Sequence, residues 1–414
     1  MKRGAMTPTI IPIRDVRQAS PRELLATVPH RFFFLAGIAE AAILALWWLW
    51  VLAARLTHAV PPPASPMPDT VVHALAMTFG FAPFFMFGFM FTAGPKWVDA
   101  PPPPARAWRI PGALAAACVF LIVPLQALDV GGLRVLAGGY ALAWLWLCAI
   151  FAGVVRRGAA RDKVHARLVL AALVTGALAV GTFAAVGMPA YPWLTTAGVW
   201  LFLLPVFVVV CHRMIPFFTS SALPAVLAFR PWWLLGVMVG APVVHGVALL
   251  AGLGRFTWLV DFPAGVFMLV LTMRWGFVQS MRNRLLAMLH VGFFWYGVGF
   301  MLAGANSIWE LAHGPALGLA PLHAMTIGFA SSLLLAMVTR VTCGHSGRTL
   351  AADTVTWRLF QLLQVAAVLR ICADLHGSGM LLLGAVLFWA ACVVPWCVKY
   401  APVYWRPRAD GRAG

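Results

Sequence analysis

The chain has 414 residues, of which 62% are hydrophobic and only 10% charged, and its mean hydropathy is +0.88. A soluble domain cannot hide that much apolar surface, so composition excludes the ordinary globular and disordered classes and calls for a membrane. The net charge of +18 invites a nucleic-acid reading, but the basic residues sort by side of the membrane, which assigns them to orientation and anionic lipid instead.

Residues 1–31 are basic and carry Pro8, Pro12, Pro21 and Pro29 without an apolar core, so they read as a cytoplasmic segment and not as a cleavable signal peptide. A membrane crossing needs about 20 mostly apolar residues. In chain order the candidates within a single membrane domain, 32–400, are 32–54, 70–92, 109–128, 133–155, 165–187, 192–212, 232–253, 257–277, 285–304, 318–341, 355–375 and 378–400. The expected fold is therefore an all-α membrane protein of twelve transmembrane helices, with 401–414 as a cytoplasmic tail. Pro61 to Pro63 stiffen the first outer loop, and Pro101 to Pro104 the next inner one. Trp and Phe near the span ends suit the two interfaces.

Twelve crossings place both termini and every second loop on one side. Of the 30 basic residues, all but Arg55, Arg134, Arg255 and Arg370 fall there, and the positive-inside rule makes that side the cytoplasm. An error of one span would scramble this segregation. The seven cysteines avoid the outer loops and form no CxxC, so no disulfide framework is expected.

A weak repeat runs with a phase of four helices. Span 2 opens on His73-Ala74-Leu75-Ala76-Met77-Thr78-Phe79-Gly80-Phe81-Ala82, and span 10 on His323-Ala324-Met325-Thr326-Ile327-Gly328-Phe329-Ala330. Span 1 enters through His30-Arg31-Phe32-Phe33 and span 9 through His290-Val291-Gly292-Phe293-Phe294, while span 5 begins at His165. Span 6 ends in His212-Arg213 where span 10 ends in Thr339-Arg340. Three four-helix arcs with cytoplasmic termini resemble the plan of the heme–copper oxidase catalytic subunit, which carries heme-ligating histidines on its second and tenth helices. The likeness is one of plan, and plan alone does not give function.

A family resemblance is closer. The segment Leu322-His323-Ala324-Met325-Thr326-Ile327-Gly328, continuing through Ala336-Met337-Val338-Thr339-Arg340-Val341-Thr342-Cys343-Gly344-His345-Ser346-Gly347-Arg348, resembles the signature of the NnrS family. So do His30-Arg31-Phe32-Phe33, Arg213-Met214-Ile215-Pro216-Phe217-Phe218-Thr219, Leu289-His290-Val291-Gly292, and Met77-Thr78-Phe79-Gly80-Phe81 followed by Thr92-Ala93-Gly94-Pro95-Lys96-Trp97. The resemblance implies a polytopic protein of the bacterial inner membrane that holds heme and copper. It also implies a role in nitric oxide metabolism and nitrosative stress, in denitrifying and related bacteria. It names neither a reaction nor an electron donor. One departure stands out: where the family's second helix reads His-Ala-His-Glu-Met, this chain has His73-Ala74-Leu75-Ala76-Met77.

The candidate ligands follow by depth. His73, His323 and His245 fall in the outer half of spans 2, 10 and 7. Neutral imidazole suits a b-type heme, and intramembrane histidine is costly without a partner; the competing reading is a hydrogen bond between helices. His30, His290 and His345, with the less secure His212, fall at the cytoplasmic face beside Arg213, Arg340 and Arg348. Those guanidinium groups suit heme propionates or lipid headgroups, and the histidines suit copper, with Cys343 as a further donor; the competing reading is a lipid-facing basic rim. His58, His165, His313 and His376 are expected to be ordinary loop or interface residues. Glu40 is a candidate proton-path acid, and Arg370 with Asp374 a self-neutralising pair. Two function classes remain: a heme-containing and copper-containing protein handling nitric oxide, or a twelve-helix secondary transporter without a metal, which needs broken helices and a midplane site.

Overall fold

A computed structural model describes residues 20–125, 130–314 and 318–410. Lys2, Arg3, Arg14, Arg17 and Arg412, and the end of the expected span 109–128, fall outside the described residues. Among those described, the secondary structure is helical throughout. Eleven helices are long and apolar enough to cross a membrane: α1 (Pro29–Thr57), α2 (Asp69–Val98), α3 (Ala105–Ile122), α4 (Val130–Arg157), α5 (Val164–Val186), α6 (Met188–Ala222), α7 (Trp232–Leu250), α9 (Arg284–His313), α10 (Ala320–His345), α11 (Thr354–His376) and α12 (Gly379–Trp405). The chain is a multi-pass membrane protein.

The expected eighth crossing, 257–277, is α8 (Trp258–Arg274), with 17 residues. At 1.5 Å per residue it spans roughly 25 Å, short of the roughly 30 Å hydrocarbon layer. It stops because the chain turns at Gly276, whose φ of 95° only glycine adopts without strain. Other boundaries moved for local reasons. A short helix, Pro21–Thr27, closed by a Ser20–Glu23 capping box, precedes α1, and Pro29 then starts α1 three residues before the expected span. His30 and Arg31 therefore lie inside the first turn of α1. The α3 helix begins at Ala105 and ends at Ile122, because Pro124 disfavours helix in the residue before it.

The helices pack around three inner members in a ring that α6 completes by packing on both α5 and α7. α1 packs on α3, α3 on α4, α4 on α5, α7 on α8, α8 on α9, α9 on α11 and α11 on α12, and α12 returns to α1. Within this ring α2, α6 and α10 touch one another. Their apolar windows are 78%, 72% and 72% buried, against 39–67% for the other crossings. A helix that is apolar all round can sit inside a bundle or against lipid, and these three take the inner places. Close approach needs a small residue: a Cβ on Gly198 of α6 would lie 2.5 Å from the Phe79 ring of α2.

Each inner helix is also irregular. α2 breaks at Gly80–Phe81, between Asp69–Phe79 and Ala82–Val98. α6 widens into a π-helix over Ala197–Leu203 and α10 over Ala324–Ser331. Backbone groups freed inside a membrane must find partners. The Phe79 carbonyl accepts from the Tyr140 hydroxyl at 2.6 Å, and the Thr326 carbonyl from Ser331 Oγ at 2.9 Å.

Candidate functional site

The irregular halves of α2, α6 and α10 wall a cavity of about 430 Å³, completed by side chains of α1, α11 and α12. On α2 the cavity face runs Thr70, His73, Ala74, Met77, Thr78 and Phe81; on α10 it runs Leu322, His323, Thr326, Ile327, Ala330 and Ser331. The two echoing histidines therefore share one chamber.

His323 is oriented by its own helix. Its Nδ1 lies 3.0 Å from the Leu319 carbonyl and 3.8 Å from Asp374 Oδ2, so the carbonyl is the hydrogen-bond acceptor. Nδ1 then carries the proton and Nε2 keeps its lone pair for a ligand, the arrangement common among metal-bound histidines. His73 is held differently. Its ring stacks on Trp48 at 3.8 Å between centroids, and its buried Nδ1 has no partner. An orphaned buried nitrogen on a cavity wall calls for a ligand or a water. Arg55 and Arg370 line the same cavity. Arg370 pairs with Asp374 at 2.5 Å and Arg55 with Asp69 at 3.3 Å, and each guanidinium keeps further donors. A large, mostly apolar chamber with two imidazoles and two guanidinium groups fits a flat, anionic-edged metal cofactor such as heme.

Leu75 and Ala76, which replace the family's His-Glu pair, are buried and do not line this cavity. At about 100° per residue, the face formed by Thr70, His73, Ala74, Met77 and Phe81 centres near Thr70, and Leu75 and Ala76 lie beyond its two edges, roughly 120–140° from that centre.

The remaining candidates lie elsewhere. His245 stacks on Trp200 at 3.7 Å and pairs with Asp261, Nδ1 to Oδ1, at 2.7 Å. This buried couple satisfies the helix-to-helix reading, apart from an Asp261 Oδ2 that has no partner. Arg213 lies over the Trp97 ring at 4.9 Å and Arg340 over Phe218 at 3.8 Å, while Arg348 keeps a buried Nη1 without a partner. The structure does not bring these three arginines to the His73–His323 cavity.

The histidine group expected at the cytoplasmic face separates into pairs. The His30 and His345 rings lie 4.6 Å apart. His290 Nε2 meets Thr219 Oγ1 at 2.9 Å. His212 meets His165, Nδ1 to Nε2, at 3.0 Å, and its Nε2 donates to the Pro231 carbonyl at 3.2 Å. Among the described residues, no three His, Cys, Asp or Glu side chains converge as metal ligands. His30, His290 and His345 thus do not form the three-donor set that a copper centre would use, and Cys343 does not complete one.

Sequence reasoning missed two things. His165, expected as an ordinary loop or interface residue, is buried and paired with His212; its place at the start of span 5, in phase with His30 and His290, was the available signal. Arg55 and Arg370 were legible as two of the four basic residues on the outer side, but nothing in the sequence told that they face one cavity.

Helical irregularities focused on a histidine-lined chamber define a polytopic membrane protein with a built internal site. The sequence model of the NnrS protein family matches residues 24–408, nearly the whole chain, and the chain belongs to that family. A comparison with curated proteins found no match.

Proposed function

We propose that this protein binds heme through His73 and His323 and acts in nitric oxide metabolism or the response to nitrosative stress, in the inner membrane of a bacterium with both termini cytoplasmic. One observation carries the reading: two echoing histidines from inner helices wall the same large chamber, one oriented by a backbone carbonyl and one with an orphaned nitrogen. Arg55 and Arg370 would meet the propionates at the outer end. When bound, the group supplies a one-electron couple whose potential follows its axial ligands and surroundings. The chain's own contribution is to hold both imidazoles, exclude water with apolar walls, and neutralise negative charge. The ring with α2, α6 and α10 inside supports a plan of three four-helix arcs like that of the heme–copper oxidase subunit, with α8 as a short twelfth crossing. Copper lacks such support, since the cytoplasmic histidines stand in pairs, and no step here depends on it.

A second reading has its own observation. Broken inner helices around a chamber are what a secondary transporter uses to build a substrate site. Optical spectra of the purified protein, oxidised and dithionite-reduced, separate the two. The heme reading expects reduced b-type bands that His73→Ala and His323→Ala each remove or shift, with His376→Ala unchanged. Wild-type protein expressed with ample heme yet carrying none would overturn it and favour the transporter.

A further inference from the structure

A second hollow lies between the inner helices, beside the chamber. Its volume is about 60 Å³, and all its lining side chains are apolar; they include Phe85, Met86 and Met90 of α2, Val206 of α6, and Met337 of α10. Ala82, Phe207 and Leu334 line both spaces, so they form the wall between them.

We propose that this hollow is a binding site for one small, uncharged, apolar gas molecule, one side-chain layer from the histidine-lined chamber. Size and chemistry both select the occupant. A single water needs roughly 10–15 Å³ of such space, so there is ample room for a diatomic molecule or a noble-gas atom, while drug-sized ligands take pockets of roughly 300–1,000 Å³. A water also needs two to four polar partners, and these walls offer none, so the hollow stays dry. A charged or hydrogen-bonding ligand would lose its hydration without replacement. An apolar gas loses nothing on leaving water and gains dispersion contacts with the ring faces and methionine sulfurs. Met86, Met90 and Met337 are unbranched and polarisable, so they can shift to admit it. All three inner helices contribute walls, so the site depends on their mutual packing and not on any one sequence motif. The position beside the chamber gives a diatomic ligand a staging point, and that part of the inference rests on the heme reading.

The test is xenon binding by the full-length purified protein. Crystals under xenon pressure should show an anomalous peak within the Phe85–Val206–Met337 hollow, and xenon NMR in detergent should show a saturable shift. Val206→Phe fills the space and should abolish both signals with melting behaviour unchanged. Met337→Phe is a milder plug should the first variant fold poorly. Val135→Phe, on an exposed face of α4, should keep the signals. No xenon in the hollow of the wild type, or equal signals in wild type and a folded plug, would overturn the proposal. Xenon bound without heme bands would leave the hollow standing and sink the heme reading; heme bands without xenon would sink only the hollow.

Discussion

Individual side chains here differ mainly in whether their polar atoms have partners. Glu40 on α1 is fully buried, and neither carboxyl oxygen has a hydrogen-bond partner. A buried polar group without a partner costs free energy, so Glu40→Met, which keeps length and removes the polar atoms, should stabilise the protein by roughly 1–3 kcal/mol. Thermal melting in detergent reads this, and a lower melting temperature would mean that Glu40 has a bonding role. If Glu40 also serves a proton path, the same variant gains stability and loses turnover. Asp353 is the opposite case. It caps α11 by accepting from the Thr356 amide at 2.9 Å and pairs with Lys399. Partial burial would raise its pKa, but the bonds from Lys399 and Thr356 prevail and hold the carboxyl down to about 2. Its stabilisation is thus complete above about pH 4, the ordinary carboxylate range, and fades as pH falls toward 2. The carboxyl is 59% exposed, so water screens the ion pair and the cap is the main term. Asp353→Ala should cost about 0.5–2 kcal/mol at neutral pH. Chemical unfolding at pH 7 and at pH 2.5 should show the difference from wild type shrinking at the lower pH.

Among elements, the π segments carry the argument. An α-helix advances about 100° per residue, so one extra residue accommodated in a π turn sets the azimuth of everything before it. His323 immediately precedes the π segment Ala324–Ser331. Deleting Ile327 should convert the segment to regular helix and swing His323 off the cavity wall. On the heme reading, the expected result is loss of the reduced bands with helix content unchanged by circular dichroism; bands that survive would mean the segment does not set the register. Hydropathy marked these stretches as spans but could not mark the irregularity, because widening depends on how the neighbouring helices fit and not on apolar content. The break in α2 was partly legible, since Gly80 lies in the middle of an apolar run and glycine lowers helix stability.

At the scale of the whole molecule, the count of crossings turns on α8. Arg274 is the last residue of α8, and Arg282 and Arg284 follow in the next turn and at the start of α9. The positive-inside rule puts that cluster in the cytoplasm, which requires α8 to cross despite its length. A topology reporter inserted between Arg282 and Asn283 should read cytoplasmic, as should one at the C-terminus. An external reading at both would leave α8 on the surface and make the crossings odd in number. The return of α12 to α1 closes the ring, and Arg31 pins that closure by donating to the carbonyls of Tyr404 and Arg406 at 3.1 and 2.9 Å.

The sequence by itself determined the membrane and the approximate spans, and it pointed to a sidedness and to two leading histidines. Each of these rests on a local or additive property: apolar length against bilayer thickness, loop charge, and a residue type too costly to bury without reason. Family membership was likewise carried by short motifs in order along the chain. The tertiary structure alone decided the rest. It set His73 and His323 on one chamber, turned Arg55 and Arg370 toward it, sent Arg213, Arg340 and Arg348 elsewhere, and divided the cytoplasmic histidines into pairs. Those outcomes depend on the rotation and depth of each helix against its neighbours. Both are set by side-chain packing across residues far apart in the chain, to which hydropathy is blind.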